Sequence, residues 1–185
     1  MRHTLLTTSL ALLAFSGAAF TAAYSAETPT WIWNSPNASN GQSVFFRKSF
    51  TLAEVPASAK IYATGDNHAT VWVNGVQVGK TDEWKEPAVV EVAKHLKAGA
   101  NVIAIEGKND DGAAAMVAKL VLKDKAGMTS EIVSDASWKN GDKADGWEKP
   151  GFDDSAWKGS ADLGKLGKDP WGDVFTGAKL GGGGS

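Results

Sequence analysis

Thr70-Val71-Trp72-Val73-Asn74-Gly75-Val76 constrains the fold more than any other stretch. Asn-Gly set between β-branched and aromatic residues is the signature of a two-residue hairpin turn, because both central residues must take positive φ. A chain committed to a tight antiparallel hairpin here must bury one face of it against further strands. The flanking sequence supplies them. Val44 to Leu52 alternates, with Phe46, Lys48, Phe50 and Leu52 on one face and Phe45, Arg47 and Ser49 on the other. A lysine on the apolar face predicts partial burial or a bulge there.

Lys60-Ile61-Tyr62-Ala63-Thr64, Val89-Val90-Glu91-Val92 and Asn101 to Gly107 read as strands, and Met116 to Leu122 is short enough to be one as well. Ala93 to Lys97 predicts one helical turn closed by Gly99. Many short strands between Gly, Asn and Pro turns, without a long helical period, give an all-β antiparallel sandwich or barrel.

From Ser134 onward the texture changes. Alternation fades and aromatic residues are dotted among Asp, Gly and Lys. Asp135-Ala-Ser-Trp138 and Asp154-Ser-Ala-Trp157 echo each other, each placing an acid three residues before an indole, as a local cap would. The tryptophans other than Trp84 are expected to pack, Trp72 and Trp157 most surely.

The ends read differently from the middle. Met1 to about Ala26 has the charge, apolar run and small-residue close of a secretory signal, which directs the protein to a secreted or periplasmic location. Gly181-Gly-Gly-Gly-Ser185 is a flexible linker by composition, either a cloning scar or the approach to a catalytic or anchoring domain. Residues 27–180 then form one domain. Removing Arg2 with the signal leaves 18 basic against 21 acidic residues, a net charge of −3. Scattered lysines on an acidic chain do not suggest a nucleic-acid binder, which needs a clustered basic face, and no later stretch is long and apolar enough to span a bilayer. With no cysteine there is no disulfide and no thiolate metal site.

Catalytic chemistry finds little to assemble. The mature chain has only His68 and His95, no GxSxG elbow, no HExxH pair and no phosphate loop. Hydrolysis would need two facing carboxylates, and adjacent aspartates such as Asp110-Asp111 or Asp153-Asp154 point opposite ways in extended chain.

Binding is better provided for. Asp66-Asn67 and Asn109-Asp110-Asp111 both lie at strand ends, where their oxygens could converge on a hard cation or on sugar hydroxyls, or could instead bond their own turns. Trp84, in the polar loop Thr81 to Pro87, is a stacking surface or a plug folded back on the sandwich. His68 is set aside as a solvated turn residue.

The ordered series Trp31-Ile-Trp, Phe46-Arg-Lys-Ser-Phe-Thr-Leu, Gly65-Asp-Asn-His-Ala-Thr-Val-Trp-Val-Asn-Gly, Leu96-Lys-Ala-Gly-Ala-Asn-Val-Ile-Ala-Ile and Phe152-Asp-Asp-Ser-Ala-Trp resembles the galactose-binding-like jelly-roll modules attached to α-L-rhamnosidases and family 2 glycosidases. The resemblance covers nearly the whole mature chain. It implies a two-sheet jelly-roll β-sandwich and a non-catalytic, carbohydrate-binding role for a rhamnose-like or galactose-like sugar.

In the rhamnose-binding members, calcium and sugar share an Asp-Asn pair, a loop Trp and a later Asn. Carried over, these are Asp66, Asn67, Trp84 and Asn109, with Asp66, Asn67 and Asn109 toward the ion. The small acidic run Asp110 to Ala115 departs from the family's pocket wall. A structural or protein-interaction module of a larger surface protein is the alternative reading, and a small glycosidase a more distant one.

Overall fold

The computed structural model describes residues 27–181; the expected signal segment and the last four residues of the Gly/Ser tail lie outside the described residues. The strands are β1 (Thr30–Trp33), β2 (Ser43–Leu52), β3 (Ser58–Asp66), β4 (His68–Val73), β5 (Val76–Thr81), β6 (Ala88–Glu91), β7 (Gly99–Lys108), β8 (Ala115–Lys123), β9 (Thr129–Val133), β10 (Lys139–Gly141), β11 (Lys158–Gly159) and β12 (Ala161–Lys165). They form two six-stranded sheets: β12-β1-β8-β3-β6 with β9 on β8, and β11-β10-β2-β7-β4-β5. Every pairing is antiparallel, and the chain passes repeatedly from one sheet to the other, which is the expected jelly-roll sandwich.

Period-two alternation decides what faces inward. Val44 and Phe46 of β2, Ile61 and Ala63 of β3, Val71 and Val73 of β4, Ile103 and Ile105 of β7, and Met116 and Leu120 of β8 meet between the sheets. Apolar packing of this kind is worth about 25 cal/mol per Å² and drives the two layers together.

Trp72 obeys the same rule and therefore faces outward between Val71 and Val73, half-buried against Trp147. It packs, as expected, but on the outer face of the sheet and not in the core between the sheets. The fully buried tryptophans are Trp31, Trp33 and Trp138, while Trp157 is half-buried. Lys48 causes no bulge. The β2–β7 ladder runs unbroken from Ser43↔Lys108 to Leu52↔Gly99, and the half-buried lysine reaches out to the Ser137 hydroxyl.

The Asn74-Gly75 turn forms as expected, with φ of 51° and 85° and Val73 opposite Val76. Asn74 does more than turn the chain. Its amide donates to His95 O and Asn101 Oδ1, each at 2.8 Å, and accepts from the Val102 N–H at 2.9 Å. Asn74→Ala should therefore lose about 2 kcal/mol, combining strain at positive φ with orphaned polar groups. A urea unfolding midpoint measures it; a loss below about 0.5 kcal/mol would contradict this account. The turn after β6 is a 3-10 turn, Ala93–His95.

The irregular second half covers the outer faces of the sandwich. Residues between β9 and β12 lie over Phe45, Trp72 and Ala104 through Trp147, Phe152 and Trp157. Residues after β12 lie over Trp31, Tyr62, Ala115 and Val117 through Trp171, Val174 and Phe175. The Asp-Trp echo is real but differently wired. Asp135 Oδ1 accepts from the Ser137 N–H at 2.8 Å and Asp153 Oδ1 from the Ser155 N–H at 3.0 Å, so the second cap is Asp153. Asp154 is left free to meet Arg47.

Candidate functional site

Asp66 ends β3 and Asn67 links it to β4; Asn109 follows β7, and Trp84 sits in the loop between β5 and β6. These loops gather at one end of the sandwich. Asn67 Oδ1 accepts the Asp110 backbone N–H at 2.8 Å, which clips the β3–β4 link to the β7–β8 loop. The β1–β2 loop closes over the same place. Asn109 donates its backbone N–H to Gln42 O at 2.8 Å and its amide to Ser39 O at 3.0 Å.

Asn109 is fully buried, and its Oδ1 has no hydrogen-bond partner. An unpaired buried carbonyl oxygen is costly, typically by about 1–3 kcal/mol, and a bound water or ion would satisfy it.

Asp66 is half-buried and makes no ion pair among the described residues. Its Oδ2 accepts the indole N–H of Trp171 at 2.8 Å. Burial raises its pKa above the ordinary carboxylate value; the Trp171 bond opposes this, and the charges of Glu83 and Asp111 add to it. Trp171 was placed in packing from sequence alone. It does pack, 5.2 Å from Trp31 between ring centroids, but it also holds Asp66. A lone Trp in a Gly/Asp-rich tail carried no signal of that second role.

Trp84 is neither free nor a plug. One side lies on the aromatic cluster that contains Trp31, Trp171 and Phe175, while the ring stays partly exposed and Lys85 Nζ stands 5.0 Å from its centroid. Its backbone is fixed by Thr64 Oγ1, which donates to Trp84 O at 3.0 Å, and buried Thr81 pins the same loop through Glu83 O and Glu86 O.

His68 is not simply solvated, which corrects the expectation. Nδ1 lies 3.1 Å from Asp82 and Nε2 2.7 Å from Asp110, with the side chain 27% exposed. Only the doubly protonated ring can donate to both carboxylates. The outer partners are Lys80 for Asp82 and Lys108 for Asp110. Hydrogen bonds from Lys80 and His68 hold Asp82 below its ordinary pKa, and those from Lys108 and His68 do the same for Asp110. His68 thus braces the Trp84 loop against the Asn109 loop.

Among the described residues no three His, Cys, Asp or Glu side chains gather at metal-binding distance. A cation at this end would have to rest on the Asp66 carboxylate and on amide or backbone oxygens, a donor set suited to a hard ion such as calcium. Of that donor set, the Asp66 carboxylate has no ion-pair partner and Asn109 Oδ1 no hydrogen-bond partner among the described residues.

No family model matches the chain. It is 35% identical over 170 residues to an α-L-rhamnosidase of Streptomyces avermitilis, a match covering 85% of this chain and 16% of the relative. The chain thus spans about a sixth of that enzyme's length. Among solved structures, the S. avermitilis α-L-rhamnosidase complexed with L-rhamnose matches at 34% identity and a TM-score of 0.73, covering 79% of this chain and 15% of that one. A Pleurotus ostreatus lectin, solved with GalNAc, matches at 28% and 0.71, covering 79% of this chain and 44% of the lectin. The structural neighbours are therefore α-L-rhamnosidase domains and a lectin, in agreement with the galactose-binding-like jelly-roll module that the sequence resembles.

Proposed function

We propose that this chain is a non-catalytic carbohydrate-binding module of a secreted or periplasmic glycan-processing system. It takes a rhamnose-like or galactose-like sugar, assisted by calcium, at the sandwich end formed by Asp66, Asn67, Trp84 and Asn109. The observation that supports this reading is the presence, at the same end of the sandwich, of a half-buried, unneutralised Asp66 carboxylate and a buried, unpartnered Asn109 Oδ1. Both groups are costly in the free protein and would be satisfied by a cation or by sugar hydroxyls.

Calcium would be held by Asp66, Asn67 and Asn109, and when bound it would neutralise the carboxylate and offer open positions to vicinal hydroxyls. Trp84 presents a flat apolar face to a pyranose ring. The Lys85 ammonium leaves that face when the sugar arrives, an exchange that costs about 0.5–1 kcal/mol at an exposed site.

A non-catalytic role is supported by three of the acids that the aspartate doublets offer for hydrolysis. Asp154 is engaged by Arg47 and Lys139, Asp110 by His68 and Lys108, and Asp153 by its own cap, and each is held below the ordinary carboxylate pKa. None is tuned as a general acid. The small share of the rhamnosidase that the chain spans points the same way, toward a module that brings a catalytic or anchoring domain to its glycan.

Calorimetric titration with L-rhamnose and with GalNAc, with and without a calcium chelator, tests the site. The wild type should bind one of them, the chelator should weaken binding, and Asp66→Ala and Trp84→Ala should each lose at least about tenfold in affinity. Absence of binding to either sugar, or variants that bind like wild type, would remove the proposal.

A further inference from the structure

A second groove lies on the far flank of the β1–β2 loop and is not used by the site above. It has a volume of 560 Å³ and is lined by Asn34, Gln42, Asp142, Lys143, Trp157 and Lys158, among others. That volume falls within the usual range for small-molecule sites, about 300–1,000 Å³.

Its floor is the Trp157 indole. The ring lies flat on Gly141, so closely that a Cβ there would come within 2.5 Å of it, and only glycine permits that seat. Trp147 stacks beside the indole at 6.3 Å and 23°, and Phe152 meets it edge-on at 5.5 Å. The ring is thus fixed by Gly141, Trp147 and Phe152 and, partly exposed, lines the groove.

The rim is polar and of both signs. Asn34, Asp142, Lys143 and Lys158 are exposed. They offer amide, carboxylate and ammonium groups around the indole.

We propose that this groove is a second carbohydrate subsite, which takes a further pyranose unit of the same glycan chain stacked on Trp157. This rests on the carbohydrate reading of the first site and extends it. A fixed aromatic plane ringed by donors and acceptors matches the apolar face and the hydroxyl edge of a sugar ring. Opposite charges on the rim do not form the single-sign field that a phosphate or polyanion requires.

The position supports the same occupant. One flank of the β1–β2 loop is fastened to the first site through Asn109 to Ser39 O and Asn109 to Gln42 O, and Gly41 adds a bond to Asp110 O at 3.1 Å. Asn34, at the start of the loop, and Gln42 also line the groove. The β1–β2 loop thus joins the first site to the groove. Linking two weak contacts in one chain raises affinity without any new contact at either.

The test uses L-rhamnose and GalNAc as monosaccharides, and oligosaccharides of two to six units ending in each, titrated calorimetrically against the full chain. The wild type should bind an oligosaccharide at least about tenfold tighter than its terminal monosaccharide. Trp157→Ala should abolish that gain and leave monosaccharide affinity unchanged, which also reports that the variant is folded. Asn34→Ala combined with Lys158→Ala provides a second variant that leaves the aromatic packing untouched, and it should reduce the gain several-fold.

If the wild type binds oligosaccharides no tighter than monosaccharides, or if both groove variants keep the full gain while Asp66→Ala loses binding, the second subsite is refuted and the first stands. If Asp66→Ala binds like wild type while Trp157→Ala does not, the first site fails and the groove is the binding site. If nothing binds, both fall.

Discussion

Replacing Arg47 by alanine is expected to cost about 3–5 kcal/mol of stability, the largest loss from any single polar substitution in the domain. Arg47 is on the outward face of β2, yet only 2% exposed. Its Nε donates to Asp154 Oδ2 at 3.0 Å, and its Nη1 donates to the carbonyls of Trp147 and Lys149, the latter at 3.2 Å. The guanidinium also lies 5.0 Å from the Phe152 ring centroid. Removing it leaves two carbonyls without their donor and a half-buried carboxylate with Lys139 alone, and takes away the bonds that tie the segment carrying Trp147, Phe152 and Trp157 to β2. For a domain of this size, about 3 kcal/mol corresponds to a fall in Tm of roughly 6–12 °C.

The effect is pH-dependent in a definite sense. Burial pushes the Asp154 pKa up, but the hydrogen bonds from Arg47 and Lys139 outweigh it and hold the carboxyl below its ordinary value. A depressed folded-state pKa contributes stability that is present above the unfolded value of 3.8 and is lost as the pH falls through the folded one. The gap between wild type and Arg47→Ala should therefore be full at pH 7 and narrow below pH 3.8. Urea unfolding at both pH values checks it. A gap below about 1 kcal/mol at pH 7, or one that widens in acid, would refute the clamp.

Arg47 also shows where the sequence could and could not be read. Its position opposite Phe46 on β2 follows from alternation, and so does the outward place of Trp72 once Val71 and Val73 are inward. What alternation cannot supply is a second layer. The segments after Ser134 pack onto outer faces through isolated aromatics spaced by turns, with no period to reveal which sheet each one covers. A buried arginine and an outward but shielded Trp72 both follow from that hidden layer.

The candidate site divides in the same way. Asp66, Asn67 and Asn109 stand at strand ends, positions legible from the strand pattern and the family resemblance. Trp171 and His68 were out of reach because their partners are remote in sequence: Trp171 meets Asp66 across 105 residues and His68 meets Asp110 across 42. No spacing rule connects such pairs. The buried state of Asn109 Oδ1 was equally invisible, since it depends on the β1–β2 loop closing over it.

Asp66→Asn is expected to abolish calcium-assisted sugar binding while leaving the ligand-free protein more stable. Burial raises the Asp66 pKa, the Trp171 N–H partly offsets this, and Glu83 and Asp111 raise it further. For a carboxyl with an elevated folded-state pKa, the stabilising contribution is complete below 3.8 and disappears as the pH rises through the folded value. At pH 7 the ionised carboxylate is therefore a net cost to the free protein.

Asparagine removes the charge and keeps an oxygen to accept from Trp171. The gain should be present at pH 7 and vanish near pH 3, where the aspartate is itself neutral. Calcium should reverse the ranking. A site-bound ion stabilises wild type by about 2.7 kcal/mol at a hundredfold excess over Kd, and the variant should show no such rise. Thermal unfolding with calcium or with chelator, at pH 7 and pH 3, gives all four values. Equal calcium stabilisation of both proteins would remove Asp66 from the ion site. A variant less stable than wild type without calcium at pH 7 would mean that the carboxylate serves the fold rather than a ligand.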